Sequence, residues 1–243
     1  MTFRRKKQRG HPVALLLGLK EDRAMLWKVF SNVIKPEKAV QLVGSRTDQK
    51  AMYNFHEAIV TTFRPSLREG VKSIVLASPP KTDFAEEFLN HVKDHDAWLT
   101  QGETRASFAK IRGAATELHE ISLIARSSDF RQIIQQTTNE ETENLLTILE
   151  KQLNSASIEP LVLYSFDEIE TKILGSWIPG KPRPEYLIVT ETFASHRNLK
   201  NRLQRIQQIA INKGMKTRII SSKSAAGKRI SQLGGIVCVL KAQ

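Results

Sequence analysis

Two histidines at the end of a predicted helix have the type and spacing of metal ligands. His91 and His95 lie four residues apart, and Asp96 follows directly. Side chains at that spacing share a helix face, and imidazole and carboxylate groups bind divalent metals. The neighbouring sequence offers no third strong ligand. We therefore predict no metal here and interpret the two histidines as a solvated helix end.

Nucleophilic and redox chemistry have one candidate, Cys238, which lies in the apolar segment 236–240. A single cysteine excludes an intramolecular disulfide and a cysteine-rich metal site. We predict a buried thiol. The chain also lacks a Walker loop, a G-x-G-x-x-G, a G-x-S-x-G and an H-E-x-x-H motif, so no cofactor is predicted.

The charge of the 243-residue chain is strongly uneven. Its net charge is +12, and its sequence pI is near 9.9. Residues 1–10 carry five basic side chains and no acid, and residues 181–243 carry 13 basic and two acidic ones. Residues 101–180 are acidic, with seven basic and 12 acidic side chains. Two separate basic regions favour a nucleic-acid partner over a merely solubilising surface.

The elements that must position these residues alternate between strands and helices. In the first half, strands are predicted at 13–17, 25–30, 39–43 and 71–77, and helices at 45–65 and 84–92. Ser45 and Asp48 fit a capping box at the start of the first helix. Residues 35–37 are predicted to interrupt the strand pattern, and residues 101–113 are predicted to form a connecting segment. The longest apolar runs are far too short for a membrane span, and no signal peptide is recognised.

The second half predicts a three-layer α/β arrangement. Helices are predicted at 115–125, 130–136, 140–153, 165–173, 197–213 and 225–233, and strands at 186–190, 217–220 and 236–240. Ser165 and Glu168 fit a second capping box. A proline- and glycine-rich loop is predicted at 175–184.

The segment 221–241, SSKSAAGKRISQLGGIVCVLK, resembles the end of Pelota and of the archaeal and eukaryotic peptide-chain release factors. That family ends with a pair of serines, a small-residue turn with glycine, a short helix, a glycine and an apolar strand. Weaker likenesses lie at LYSFDEIETKI (163–173), PEYLIVTE (184–191) and VKSIVLASPPKTDFAEEFLNHV (71–92). Together they cover about 11–241.

The resemblance implies two α/β domains behind a basic arm at 1–10. These are a central release-factor-like domain at 11–102 and a C-terminal domain at 103–243 that starts with helices. The C-terminal domain would have the fold of kink-turn-binding ribosomal proteins. The family's decoding domain has no counterpart, so the domain content is most similar to the Vms-type release factors of ribosome-associated quality control.

In these factors a Gly-Gly-Gln or Gly-Ser-Gln loop lies between the third central strand and a long helix. The corresponding residues here are Gly44 and Ser45, followed by three others and then Gln49. The resemblance implies that Gln49 is catalytic and that Gly44 and Ser45 shape its loop. An amide can orient water and stabilise developing charge without titrating. The alternative is a first-turn helix residue beside the Ser45 cap.

Basic residues near this loop and in the C-terminal quarter are predicted to contact RNA phosphates, the alternative being simple solvent exposure. They are Arg46, Lys50, Arg197, Lys200, Arg202, Arg205, Lys223, Lys228 and Arg229.

The function expected from the resemblance is stop-codon-independent peptidyl-tRNA hydrolysis on stalled ribosomes or large subunits. The expected partners are the large ribosomal subunit, rRNA, peptidyl-tRNA and an NTPase, with no membrane, and the expected location is cytoplasmic. The alternative is a ribosome- or RNA-binding module without hydrolysis.

Overall fold

The computed structural model describes residues 9–102, 105–157 and 159–241. Most of the predicted basic arm, residues 1–8, therefore lies outside the described residues. The chain divides into two compact units. The first contains the chain up to Pro65 and Val71–Glu141, and the second contains Ser66–Gly70 and the chain from Thr142 onward.

The first unit is built on a mixed five-stranded sheet in the order β3-β2-β1-β4-β5. Its strands are β1 (Pro12–Leu19), β2 (Arg23–Phe30), β3 (Ile34–Gln41), β4 (Ser73–Ser78) and β5 (Ser107–Arg112). β1 to β3 form an antiparallel meander, whereas β4 lies parallel to both β1 and β5. β3 is an exposed edge strand, and the connection from β3 to the next helix therefore begins at the edge of the sheet.

Five helices accompany this sheet: α1 (Gln49–Arg68), α2 (Phe84–His95), α3 (Ala97–Thr100), α4 (Leu118–Ile124) and the first half of α5 (Ser128–Leu153). Ile121, Ile124 and Phe130 pack with Leu16 and Trp27 on one face of the sheet. The buried aromatic rings of Phe63 in α1 and Phe88 in α2 lie 6.0 Å apart. Long apolar helix faces thus hold α1 beside α2.

Three sequence expectations for the first unit were wrong. Residues 35–37 do not break the chain but lie inside β3, where a register shift opposite Leu26 and Trp27 accommodates them. Pro36 is tolerated because β3 is an edge strand. α1 continues through Pro65 to Arg68. Residues 107–112 form β5, whose alternation is weak because most of its side chains are only partly buried or exposed.

The second unit has a four-stranded sheet in the order β6-β9-β7-β8. Its strands are β6 (Val162–Leu163), β7 (Arg183–Thr190), β8 (Lys216–Ile220) and β9 (Ile236–Lys241), and its helices are α6 (Phe166–Leu174), α7 (Glu191–Ala194), α8 (Lys200–Asn212) and α9 (Ala225–Gln232). β7 is parallel to β8, and β9 is antiparallel to β7 and β6. The short β6 and α7 escaped sequence prediction.

Alternation along the strands gives this unit the predicted three layers. Tyr186 and Ile188 face α9 and the second half of α5. Leu187 and Val189 face α6 and α8. Successive strand side chains point to opposite faces, so a continuously apolar strand is buried on both sides. Among the described helices of the whole chain, none combines the length and hydropathy that a membrane span requires.

The two helices predicted at 130–136 and 140–153 are one helix, α5. Thr137 and Thr138 lie between the two predicted ranges, and their hydroxyls donate to the carbonyls of Ile133 and Ile134 at 2.7 Å. The division between the two units falls inside this helix, and β5 pairs with β4 of the first sheet. It therefore does not coincide with the boundary predicted at 102–103.

Cys238 lies in β9 and is buried, and burial raises the pKa of its thiol to about 12. A thiolate is the reactive form, so the folded chain should react with a thiol reagent at pH 8 far more slowly than the urea-unfolded chain. Absorbance-monitored labelling with Ellman's reagent measures the two rates. Equal rates would show that the thiol is accessible in the folded second unit.

Candidate functional site

The connection predicted to carry the glutamine links β3 to the 20-residue helix α1. It runs from Leu42 to Asp48, and Gln49 is the first residue of α1. At its start the Leu42 N–H donates to the Asp22 carbonyl at 2.8 Å. The loop therefore leaves the sheet beside the β1–β2 turn.

Arg46 fastens this loop to two neighbouring elements. Its guanidinium donates to the Glu21 carbonyl at 3.0 Å, pairs with the Glu87 carboxylate and lies 3.9 Å from the centre of the Phe84 ring. Its side chain is only 19% exposed. These contacts give Arg46 a positioning role within the protein. Lys50 is exposed and lies one residue beyond Gln49.

Gly44 and Ser45 shape the turn before the helix. Gly44 has φ +111°, and a Cβ added there would lie 3.1 Å from the Ala51 Cβ. A side chain at this position would therefore be strained as well as crowded. The Ser45 Oγ accepts from the Thr47 N–H at 3.2 Å and lies 2.8 Å from the Thr47 hydroxyl. The serine thus stabilises the loop itself.

The capping box predicted at Ser45 was wrong. α1 begins one residue after Asp48, and the Asp48 Oδ1 accepts from the Lys50 N–H at 2.9 Å. Asp48 therefore satisfies one of the free amides of the first turn. Gln49 lies exposed at the positive end of the helix dipole. Its amide can donate to and accept from a bound group, with no acid–base step of its own.

A second set of predicted residues lies at one edge of the C-terminal sheet. Because β7 and β8 are parallel, the chain segments that follow them emerge at the same edge. Arg197 precedes α8 and Lys200 begins it, while Lys223 precedes α9, and all three are exposed. Neither helix has an acidic residue in its first turn. The edge combines free positive charge with helix N-termini, which suits anions.

Two of the predicted RNA-binding arginines are occupied within the second unit. Arg202 pairs with Asp167 at 2.6 Å and with Glu170, and these carboxylates raise its pKa. Arg229 pairs with Glu150 at 2.7 Å, which likewise raises its pKa. The remaining C-terminal residues are exposed and have no acidic partner in the described part of the chain; they are Arg197, Lys200, Arg205, Lys223 and Lys228.

The turn between β8 and α9 is held by small side chains. The Ser224 Oγ caps α9 by accepting from the Gly227 N–H at 3.0 Å. The Ser222 hydroxyl lies 2.7 Å from the Thr192 hydroxyl, which joins this turn to α7. At Ser165, by contrast, no side-chain hydrogen bond caps α6, so the second predicted capping box was wrong.

Gly227 lets α9 approach that turn, since an added Cβ would lie 2.0 Å from the Ser221 carbonyl oxygen. Gly227→Ala should therefore destabilise the chain by about 1–3 kcal/mol, the usual cost of forced overpacking. Urea unfolding followed by circular dichroism measures this. Ala225→Ser, an exposed change on the same helix, should stay within about 0.5 kcal/mol. Equal stability of both variants would contradict the close approach.

The histidines predicted to form a solvated helix end are not both solvated. His91 and Asp96 are 9% and 6% exposed, whereas His95 is exposed. The His91 Nε2 lies 3.0 Å from the Glu57 Oε1 of α1. The ring of His56 lies 4.8 Å from that of His91, and burial, with the nearby His91 and Arg46, lowers the pKa of His56 to about 4. Glu57 is 34 residues from His91, so local sequence could not reveal the pair.

The two mixed sheets and their helix layers define a class of α/β proteins, and sequence comparison identifies the family. The family model "eRF1 domain 3" matches residues 82–243, more than half of the chain. The chain therefore belongs to the eRF1 domain 3 family, as the resemblance to release factors and Pelota predicted. A comparison with curated proteins gave no significant match.

Solved structures show the same fold. S. cerevisiae Dom34, a translation termination-like factor involved in RNA quality control pathways and interacting with Hbs1, aligns with a TM-score of 0.51 at 17% identity. Archaeal Pelota, from a model of its ribosome-bound form with ABCE1, aligns with a TM-score of 0.52 at 16% identity. The alignments cover 97% and 95% of this chain, but only 64% and 62% of those proteins.

Proposed function

We propose that this chain acts in ribosome rescue by releasing nascent peptides from peptidyl-tRNA on stalled ribosomes or large subunits, without reading a stop codon. Membership of the eRF1 domain 3 family and the Dom34-like fold support the rescue role. The observation that carries the hydrolytic part is the exposed Gln49 at the junction of an anchored loop and α1.

In the proposed reaction the Gln49 amide orients a water molecule toward the ester that joins the peptide to the tRNA ribose. The amide donates to developing negative charge and accepts from the water, so no titrating side chain is needed. The peptidyl-transferase centre would supply the rest of the active site. Arg46 limits the motion of the loop, which lowers the entropic cost of presenting the glutamine.

The second unit would supply binding. Five of its exposed basic residues, Arg197, Lys200, Arg205, Lys223 and Lys228, are suited to ribosomal RNA phosphates, and its three layers are compatible with the predicted kink-turn-binding type. Dom34 is described as interacting with Hbs1, and archaeal Pelota as ribosome-bound with ABCE1. By analogy we propose that this chain acts with an NTPase in the cytoplasm, where stalled ribosomes occur.

A second function is favoured by one observation. Gln49 lies inside the first turn of α1, and the loop before it has one glycine, Gly44, so the amide is less free than on a Gly-Gly-Gln loop. This placement suits a module that binds the ribosome without hydrolysis. Peptide release from stalled large subunits separates the two functions, because only the first predicts free peptide.

A further inference from the structure

We propose that Glu57, His91 and Asp96 form a binding site for one divalent transition-metal ion of the Zn²⁺ type. The three residues come from different parts of the first unit. Glu57 lies in α1, His91 in α2, and Asp96 between α2 and α3. None of the three belongs to the loop before Gln49 or to the exposed basic residues of the second unit.

The donor atoms converge. One ligand atom from each side chain lies within 4.8 Å of the other two, and the His91 Nε2 is 3.0 Å from the Glu57 Oε1. Zinc binds nitrogen and carboxylate oxygen at about 2.0–2.2 Å, so neighbouring ligands of a tetrahedral ion lie about 3.3 Å apart. Small side-chain rotations would bring all three donors to that spacing.

Asp96 supplies the independent observation that points to a ligand. Its Oδ1 accepts from the Trp98 indole N–H at 2.7 Å, which fixes the carboxylate. Its Oδ2 is buried and has no hydrogen-bond partner among the residues that the structure describes. A buried carboxylate oxygen without a partner is costly, and a bound cation would remove that cost. The contact of His91 with Glu57 leaves this oxygen unexplained.

The donor set selects the type of ion. One imidazole nitrogen with two carboxylate oxygens suits zinc and its first-row neighbours, whereas magnesium prefers oxygen ligands and retains its waters. The side chain of Glu57 is 37% exposed, while that of His91 is 7% exposed. Glu57 therefore marks the side from which an ion enters and where a water completes the coordination.

Such an ion would join α1 to the end of α2, and binding to the folded state alone would stabilise the chain. The test is titration of untagged, chelator-treated, full-length chain with zinc chloride in a calorimeter. We expect one equivalent to bind per chain, with a higher thermal midpoint, and magnesium chloride to give neither effect. Absence of saturable zinc binding would overturn the proposal.

Two variants locate the site. Glu57→Gln, at a half-exposed position, and Asp96→Asn should each weaken zinc binding at least tenfold. The matched control is His119→Gln, because His119 and Glu117 form an exposed histidine–carboxylate pair at 3.3 Å. It should bind zinc like the parent chain. Circular dichroism checks folding, and unchanged affinity in folded Glu57→Gln would contradict the assignment.

Discussion

Replacing Gln49 with alanine is expected to lower the rate of peptide release by at least about a hundredfold, while association with the ribosome stays nearly unchanged. Removing one preorganised polar group that stabilises a transition state typically costs that much. Gln49 is exposed, so its loss should change the free energy of unfolding by less than about 0.5 kcal/mol. The measurement is single-turnover release of labelled peptide from stalled large subunits.

Gln41→Ala is the matched control for this experiment. Gln41 is an exposed glutamine at the other end of the same connection, opposite Arg23 in the sheet register. It should release peptide at the parent rate. Ser45→Ala should slow release only modestly, because Ser45 organises the loop whereas Asp48 caps α1. Peptide release at the parent rate by Gln49→Ala would show that Gln49 is not the catalytic residue.

Affinity for ribosomal RNA should fall steeply as salt increases. Each phosphate contact contributes about −0.7 to −0.9 to the slope of log affinity against log salt, because counterions are released on binding. Four phosphate contacts made by the set Arg197, Lys200, Arg205, Lys223 and Lys228 would lower affinity roughly 50- to 150-fold between about 50 and 200 mM salt. Filter binding across a salt series measures the slope.

Charge reversal tests which residues make those contacts. The double variant Lys200→Glu with Arg205→Glu should weaken binding and make the salt slope shallower by the contribution of about two phosphate contacts. Both side chains are exposed and have no acidic partner in the described part of the chain. Lys35→Glu with Lys38→Glu, both at exposed positions of the edge strand β3, is the control with the same charge change. An affinity that is flat across the salt series would contradict RNA binding.

The order of strand, connection and long helix around Gln49 could be predicted, but the local geometry could not. The resemblance placed a glutamine between the third strand and the long helix, whereas in the structure Gln49 is the first residue of α1, directly after the connection. The Ser45–Asp48 spacing fitted a capping box, yet α1 starts one residue after Asp48, so the aspartate is the cap. Two capping residues three positions apart compete, and spacing alone does not decide between them.

Pairs of side chains that are far apart in the sequence could not be predicted from it. Arg46 and Glu87 are 41 residues apart, and Arg229 and Glu150 are 79 apart. Both arginines were predicted to contact RNA phosphates, and neither acidic partner is near its arginine in the sequence. The same limit concealed Glu57 beside His91. Charge counts therefore predicted a basic region, while the fold determines which of its side chains are exposed without an acidic partner in the described part of the chain.

Strand boundaries failed for a related reason. Residues 107–112 were predicted as part of a connection but form β5, most of whose side chains are only partly buried or exposed. The edge strand β3 was predicted to start at 39, after a break at 35–37, but starts at Ile34. Strands buried on both faces, such as β1 and β9, read as continuous apolar runs and were found. Apolar patterning thus predicts the centre of each sheet better than its edges.

The most direct test of the proposed function is peptide release by the unmodified chain. Stalled large subunits carrying labelled peptidyl-tRNA are mixed with purified protein, and free peptide is separated from peptidyl-tRNA over time. Stop-codon-independent hydrolysis predicts release without any mRNA in the reaction. If the chain binds these subunits but releases no peptide, hydrolysis is contradicted and the binding module is the correct function.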